Sequence, residues 1–333
     1  MQAKEWSRVL SKYREPITLR SAYELAITLV PFVLIAASAV WALTISPWLS
    51  LALSIVNSLF LVRIFLIQHD CGHGSFFKNK RFGDWIGRLL GVLTLTPYDV
   101  WRRSHATHHA TSGNLDRRGH GDIPTLTLRE YRGRSWSGRT GYWLLRNPFV
   151  LFGLGPIYTF GFLHRLPFGM MADRRGWLST MATNLAIAGL VGALFWFGGW
   201  QVVVFVYLPT VLLGAAIGMW LFFVQHQFED TSWDRDESWD VQDAAFHGSS
   251  HYVLPEPLRW FSANIGAHHI HHLASRIPFY RLRKVLADHP ELKSFGRLTF
   301  WRSLGCVRLT LWDERDRKLV PFSALKQIEA PVS

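Results

Sequence analysis

The chain has 333 residues, of which 49% are hydrophobic, and a formal net charge of +12. Its apolar residues stand in long blocks, which favours an integral membrane protein over a soluble domain. Two cysteines are too few for a thiolate zinc site or a cysteine-held iron–sulfur cluster. The basic residues are dispersed along the flanks of the apolar blocks, which argues against a nucleic-acid partner.

Four apolar segments are long enough to cross a membrane as helices, since a hydrocarbon core of ~30 Å takes about 20 helical residues. Glu24 and Arg63 are the notable charges in the first two, and the last two carry none. We expect two helical hairpins, with short turns near Ser46-Pro47 and Gly198-Gly199-Trp200. The segments are residues 22–44, 47–68, 177–198 and 201–224.

The positions of lysine and arginine predict the orientation of these hairpins. Apart from Arg63, every one lies in residues 1–21, 69–175 or 225–333, and none lies in the two short turns. Because positive loops stay on the cytoplasmic side, both termini and the middle segment are expected there, in a multi-pass protein of a bacterial inner membrane. The predicted divisions are an N-terminal segment 1–21, a first hairpin 22–68, a cytoplasmic and interfacial segment 69–176, a second hairpin 177–224 and a C-terminal cap 225–333.

Two further segments look membrane-associated without spanning. Residues 84–101 have one apolar side and are expected to form a helix lying at the membrane surface. Residues 143–168 are apolar but interrupted by Pro148, Pro156 and Pro167, which predicts a re-entrant or surface-lying segment.

Nine of the fifteen histidines lie in three short boxes, each near an apolar segment. Residues at i, i+3 and i+4 share one helical face, so each box can direct its imidazoles to one place from a single turn. The predicted topology puts all three boxes on the same side of the membrane. The boxes are His69-Asp70-Cys71-Gly72-His73, His105-Ala106-Thr107-His108-His109 and His268-His269-Ile270-His271-His272.

Eight converging imidazoles exceed the four ligands of a structural zinc and suit two metal ions. The ligand type alone does not choose among iron, copper, zinc and nickel. His226 follows the fourth apolar segment as His69 follows the second, and we interpret it as a ninth ligand. Side chains expected to orient the ligands through hydrogen bonds are Asp70, Asp122, Asp230 and Asn264, with Asp116 and Glu229 as weaker candidates.

Two other classes of protein are compatible with histidines near membrane helices. A non-catalytic membrane cytochrome would use about two axial ligands per haem, which leaves most of these histidines unexplained. A metal transporter would place its ligands within the spans, whereas these stand at or beyond the predicted cytoplasmic ends. The surplus positive charge is explained by the positive-inside bias and anionic lipids, and it also suits docking of an acidic electron donor.

The three boxes, in this order and topology, resemble the membrane fatty acid desaturase superfamily. The likeness continues through His105 to Ile123, through Gln-His-Gln-Phe-Glu-Asp at residues 225–230 and through Asn264 to Tyr280, and it covers most of residues 50–290. These stretches resemble the bacterial and plastid-like omega-6 (delta-12) acyl-lipid branch more than the stearoyl-CoA branch.

This resemblance implies an all-α integral membrane protein, with four transmembrane helices in two hairpins under a cytoplasmic helical cap. The cap would hold a non-haem diiron centre, which uses O2 and two electrons to introduce a cis double bond into an acyl chain. That chain would be carried on a glycerolipid or a thioester, and a separate ferredoxin or cytochrome b5-like protein would supply the electrons. Hydroxylases, ketolases and alkane monooxygenases of related architecture remain alternatives. The implied ligands are His69, His73, His105, His108, His109, His226, His268, His271 and His272.

Overall fold

The computed structural model describes residues 3–119 and 123–327, and the fold is mostly helical. The predicted residue Asp122 lies outside the described residues. The first elements are α1 (Ala3–Val9), α2 (Thr18–Ala42), α3 (Pro47–Gly72), α4 (Lys80–Leu93), α5 (Tyr98–Thr111), β1 (Leu126–Thr127), α6 (Leu128–Gly133), α7 (Trp136–Leu145) and α8 (Gly155–Gly161).

The second half of the chain begins with the longest helical run and continues through short elements. These are α9 (Arg174–Val202), α10 (Leu208–His226), α11 (Val241–His247), β2 (His251–Val253), α12 (Leu258–Phe261), α13 (His268–Leu273), α14 (Phe279–Asp288), β3 (Arg297–Thr299), α15 (Phe300–Ser303), β4 (Leu311–Asp313), β5 (Lys318–Val320) and α16 (Ala324–Gln327). Short 3-10 turns span Leu10–Tyr13, Leu163–Arg165, Pro290–Ser294 and Leu304–Arg308, and π-helical turns span Val150–Leu154 and Val203–Tyr207.

Among the described residues, three helical stretches are long and apolar enough to cross a membrane, where the sequence predicts four spans. They are Thr18–Ala42, Pro47–Gly72 and a 53-residue run, Arg174–His226. The run contains both the third and the fourth predicted span. It is interrupted at Gly199, whose φ of 74° and ψ of 179° are not helical. The break therefore coincides with the predicted turn. The chain is helical on both sides of it.

Helix α3 is the centre of the apolar bundle. It packs against α2 on one side and α10 on the other, and 61% of its most apolar 18-residue stretch is buried, against 17% of the corresponding stretch of α2. Ser46 begins α3 by accepting a hydrogen bond from the Trp48 backbone N–H at 3.2 Å, and Pro47 occupies the first turn. Val33 and Leu34 of α2 remain 60% exposed, as expected for side chains that face lipid.

The charged residues of the first two apolar segments, Glu24 and Arg63, pair with each other, and Glu24 also pairs with Arg20 at 2.6 Å. Arg63 of α3 and Glu24 of α2 form a buried ion pair, and the Arg63 Nε donates to Thr28 Oγ1 at 3.1 Å. The same guanidinium donates to the carbonyl of Trp260 and lies 4.0 Å from the centre of its indole ring. Arg63 therefore joins the two helices to α12, which belongs to the C-terminal cap.

The helix expected over residues 84–101 was predicted with the wrong bounds. The structure has α4 ending at Leu93 and a separate α5 beginning at Tyr98, because Pro97 disfavours helical backbone in the residue before it. Trp85 and Leu89 of α4 are more than 60% exposed, in keeping with its predicted apolar side.

The described residues are mostly helical, as predicted, but they also include five short strands, four of them in the cap and β1 in the middle segment. Strand β4 pairs in parallel with β1 and antiparallel with β5, where Trp312 faces Leu319. Strand β2 pairs in parallel with β3, where Tyr252 faces Leu298. Runs of two or three residues are too short to show the alternating pattern from which strands are recognised.

Candidate metal centre

All nine histidines predicted as ligands come together in the structure, and they form two adjacent groups. Within each group, one ring nitrogen from every member lies within 4.8 Å of the corresponding nitrogen of every other member. The first group is His69, His73, His105, His109 and His271, and the second group is His108, His226, His268 and His272.

The spacing of these nitrogens is that of ligands around a common cation. In the first group, the Nε2 atoms of His73 and His105 are 3.0 Å apart, and those of His109 and His271 are 3.1 Å apart. In the second group, His226 Nε2 is 3.1 Å from the Nε2 of both His108 and His268. Nitrogens about 2.1 Å from one ion and about 90° apart would be separated by about 3.0 Å, so the donor set fits a metal in each group.

The second and third histidine boxes each contribute ligands to both groups. This differs from the prediction that each box directs its rings to one place. On α5, His105 and His109 enter the first group and His108 enters the second. On α13, His271 enters the first group, and His268 and His272 enter the second. Around a helix, residues at i and i+4 are about 40° apart, whereas those at i+3 and i+4 are about 100° apart, so the histidines of one box can reach two neighbouring metal positions.

The first group is oriented from the end of α3. The Nδ1 atom of His69 lies 3.3 Å from Oδ1 of Asp70, as expected for a carboxylate that orients a ligand. The other oxygen of Asp70 accepts the backbone N–H of Phe279 at 2.7 Å. Trp101, one turn before His105 on α5, stacks on the His105 ring with centroids 4.8 Å apart. The sequence reasoning missed Trp101, although its i, i+4 spacing from His105 was a visible signal.

The second group is oriented by backbone that the sequence reasoning did not identify. The Nδ1 of His226 is 3.0 Å from the carbonyl oxygen of Gly248 and 3.5 Å from Ser112 Oγ. When Nδ1–H donates to that carbonyl, the Nε2 lone pair is left free to bind a metal. The sequence does not indicate that the backbone carbonyl of Gly248, 22 residues after His226, would be its hydrogen-bond partner.

Helix α13 is held in place from outside the cluster. The backbone N–H of His268 donates to the Ser250 carbonyl at 3.1 Å. His269 turns away from both groups, and its buried Nε2 donates to the Leu292 carbonyl at 2.9 Å. Gly266 lies directly against the carbonyl of Tyr252, where a Cβ atom would overlap with the oxygen.

The other predicted orienting residues lie in different surroundings. Asn264 has a φ of 55°, and its backbone carbonyl accepts the Ala267 N–H at 3.1 Å, so it shapes the turn before α13. Asp230 and Glu229 are exposed, and Glu229 pairs with Arg302 at 2.9 Å. Asp116 accepts from Arg235 at 2.6 Å near the surface. Within the described ranges, none of these four side chains is hydrogen-bonded to a histidine of either group.

Burial favours the neutral form of six cluster histidines that lie beyond the spanning helices. It is the main cause that lowers the pKa of each well below its usual value, and nearby histidines lower it further. A neutral imidazole has the free lone pair that a metal ligand needs. These residues are His73, His105, His109, His268, His271 and His272.

Apolar helices long enough to cross a membrane, ending at a buried histidine cluster able to hold metal ions, define the class of this protein. The sequence model of the fatty acid desaturase family matches residues 46–303. The chain therefore belongs to the fatty acid desaturase family, which confirms the resemblance stated above and supports an oxidoreductase activity in lipid metabolism.

Individual relatives agree with this assignment. A fatty acid desaturase of Bacillus subtilis is 44% identical over 330 residues, which cover 99% of this chain and 93% of that protein. An sn-1 acyl-lipid omega-3 desaturase (ferredoxin) of Synechocystis is 30% identical, covering 70% of this chain and 66% of the relative. An sn-1 oleoyl-lipid 12-desaturase of Anabaena variabilis is 27% identical, covering 75% and 72% respectively.

Proposed function

We propose that this protein is an O2-dependent acyl-lipid desaturase with a non-haem diiron centre held by the nine clustered histidines. The observation that carries the proposal is the division of those histidines into two groups with ligand-like spacing. The proposed reaction converts a –CH2–CH2– unit, O2, two electrons and two protons into a cis –CH=CH– unit and two waters. A separate ferredoxin or cytochrome b5-like protein would supply the electrons.

Iron fits this donor set, because imidazole suits Fe and the cysteines take no part in either group. Two bound irons would activate O2, the oxidant that removal of hydrogen from an unactivated methylene requires. Within the chain itself, burial favours the neutral form of six imidazoles, including His105 and His271. The Gly248 carbonyl fixes the ring of His226, and Asp70 fixes that of His69. Phe222 lies 5.1 Å from the His108 ring and helps to exclude water from the second group.

We further propose the four-span topology expected from the sequence, with both termini on the side of the cluster. Contacts at the two ends of the bundle support it. At the cluster end, the backbone N–H of Ile17, just before α2, donates to Tyr280 in the cap at 2.9 Å, and that of Asp99 donates to Ser179 of α9 at 3.2 Å. Helices α2 and α9 therefore both begin at this end.

At the opposite end, Ala39 near the end of α2 packs against Val202 and Val206, which follow the break at Gly199. Ser54 near the start of α3 donates to the Phe205 carbonyl at 2.9 Å. Helices α3 and α10 thus both start here and return to the cluster. This supports a turn at Gly199, two hairpins, and the divisions at residues 21, 68, 176 and 224.

The test of the proposed activity is the lipid profile of a host that lacks polyunsaturated lipids and expresses this chain with a ferredoxin and its reductase. His109→Ala, which removes one first-group ligand, is the matched control. A new double bond in glycerolipid acyl chains that is absent from the control is expected. Hydroxylated or keto lipids would overturn desaturation in favour of an oxygenase, and equal activity in the control would overturn the metal assignment.

The position of the double bond is proposed as delta-12 (omega-6), following the branch that the sequence resembles. The relatives include both 12-desaturases and omega-3 desaturases, so fragmentation of the product decides between them. A 9,12-diene formed from oleate supports the proposal, and a bond at another position contradicts it.

The metal assignment has a test that does not depend on activity. Purified protein should contain about two irons per chain and show no haem Soret band. A strong Soret band would indicate a cytochrome, and zinc or copper in place of iron would overturn the diiron proposal.

A further inference from the structure

A cavity of about 510 Å³ opens beside the start of α9, away from the histidine groups. Three arginines line it: Arg103 from α5, and Arg174 and Arg175 from the first turn of α9. The remaining lining residues are 169–173, the loop that leads into α9. All three arginine side chains are exposed.

The charge of this cavity is not neutralised by the protein. Within the described residues, none of the three guanidinium groups takes part in a hydrogen bond or an ion pair, whereas the nearby Arg102 pairs with Asp84 at 2.8 Å. The single carboxylate that lines the cavity is Asp173, and its Oδ1 accepts the backbone N–H of Arg175 at 2.9 Å to cap α9. Three cations and one engaged carboxylate leave a net positive cavity that suits an anionic group.

Apolar side chains continue from the cationic cavity along α9. Trp177 and Leu178, directly after the arginines, are 37% and 67% exposed, and Met171 on the preceding loop is 48% exposed. The apolar span of α9 follows. A ligand that matches both parts has an anionic head and a hydrocarbon tail, and positive clusters at the end of a spanning helix are the usual binding sites for anionic lipids.

The cavity is connected to the histidine cluster through α5. Arg103 precedes His105 by two residues on that helix, on roughly the opposite face. The hydrogen bond from the Asp99 N–H to Ser179 fixes the start of α5 against α9. A headgroup bound here therefore lies on the outer side of the helix that supplies three of the nine histidines.

We propose that this cavity binds the phosphate of an anionic phospholipid, and that lipids of this headgroup class are the substrate. The binding site stands on the cavity and its charges alone. The substrate role of the bound lipid rests on the proposed desaturase function.

The binding test uses the purified full-length chain in a mild detergent and native mass spectrometry of retained lipid. Phosphatidylglycerol, phosphatidylcholine and inorganic phosphate are the three probes. The test variant is R103Q/R174Q/R175Q, and the control variant is R283Q/R297Q/R308Q, which removes the same charge from exposed positions of the cap. Equal thermal unfolding of both variants and the wild type establishes that all three are folded.

We expect phosphatidylglycerol to bind the wild type and the control alike, and the test variant at least tenfold more weakly. Equal binding by both variants would overturn the proposal, as would equal retention of phosphatidylcholine. Tight binding of inorganic phosphate without retention of phosphatidylglycerol would show a small-anion site and would also overturn it.

The substrate claim is tested separately, by turnover in nanodiscs made of either lipid. Preferential desaturation of phosphatidylglycerol chains, lost in the test variant, supports it, and equal turnover of both lipids refutes it. If the wild type binds phosphatidylglycerol but desaturates neither lipid with an electron donor present, the proposed function fails while the binding site stands.

Discussion

The buried pair of Glu24 and Arg63 gives the sharpest energetic prediction. Glu24→Gln leaves the Arg63 guanidinium 2% exposed and without its carboxylate. Removing one partner of a buried ion pair typically costs 3–5 kcal/mol. Arg63 would retain Thr28, the Trp260 carbonyl and the indole ring, so we expect a loss of unfolding free energy near the lower limit, about 3 kcal/mol.

The assay is a double-mutant cycle read from equilibrium unfolding by sodium dodecyl sulfate in mixed micelles. Arg63→Met completes the cycle, because replacing both members of a buried pair with side chains of similar volume is often nearly neutral. The double variant should therefore lose less than the sum of the single losses. Glu15→Gln, at an exposed position before α2, is the matched control and should change stability little. Additive losses, or a Glu24→Gln protein as stable as that control, would refute the reasoning.

Three further predictions concern the cap and the cluster. Gly266→Ala should displace α13 and reduce bound iron to below one per chain by elemental analysis, whereas Gly305→Ala, where a Cβ meets no atom within 4 Å, should retain the wild-type content. His269→Leu leaves the buried Leu292 carbonyl without its donor and should cost about 1–3 kcal/mol of unfolding free energy, with part of the loss recovered in His269→Gln; no loss would contradict the anchoring role. The metal-free protein should lose stability as the pH falls below about 6.5, because burial lowers the pKa of His105, His109 and His271 in the folded state and the unfolded chain then binds more protons. Denaturant unfolding between pH 8 and 5.5 measures this slope, and a rise in stability towards acid would contradict it.

The features that depend on helical periodicity or on neighbouring residues along the chain could be predicted from the sequence. The spacing of the boxes identified eight histidines that the structure brings together, the place of His226 after the fourth apolar segment identified the ninth, and the apolar blocks located the long helices. Asp70, adjacent to His69, was also found as an orienting residue. In each case, neighbouring residues along the chain determine the neighbours in space, as helical geometry requires.

Features that depend on tertiary packing could not be predicted. The assignment of His108 to one group and His109 to the other depends on how α5 is rotated against α10 and α13. The carbonyl of Gly248 reaches His226 through the turn after α11, and the strands of the cap are too short to leave a pattern. The partnership of Glu24 with Arg63 was accessible in principle, since lone charges in apolar helices usually pair, but its extension to Trp260 depends on the position of the cap.

The two histidine groups acquire their members at different stages of synthesis, because residues emerge from the ribosome in chain order. Once residue 226 has been made, four of the five imidazoles of the first group are present, but only two of the four in the second. Four imidazoles without their fifth partner already form a chelator, and nitrogen sites generally bind copper more tightly than iron. The first group is therefore the more vulnerable to capture of a wrong cation, and the 162 positions from His109 to His271 set how long that exposure lasts.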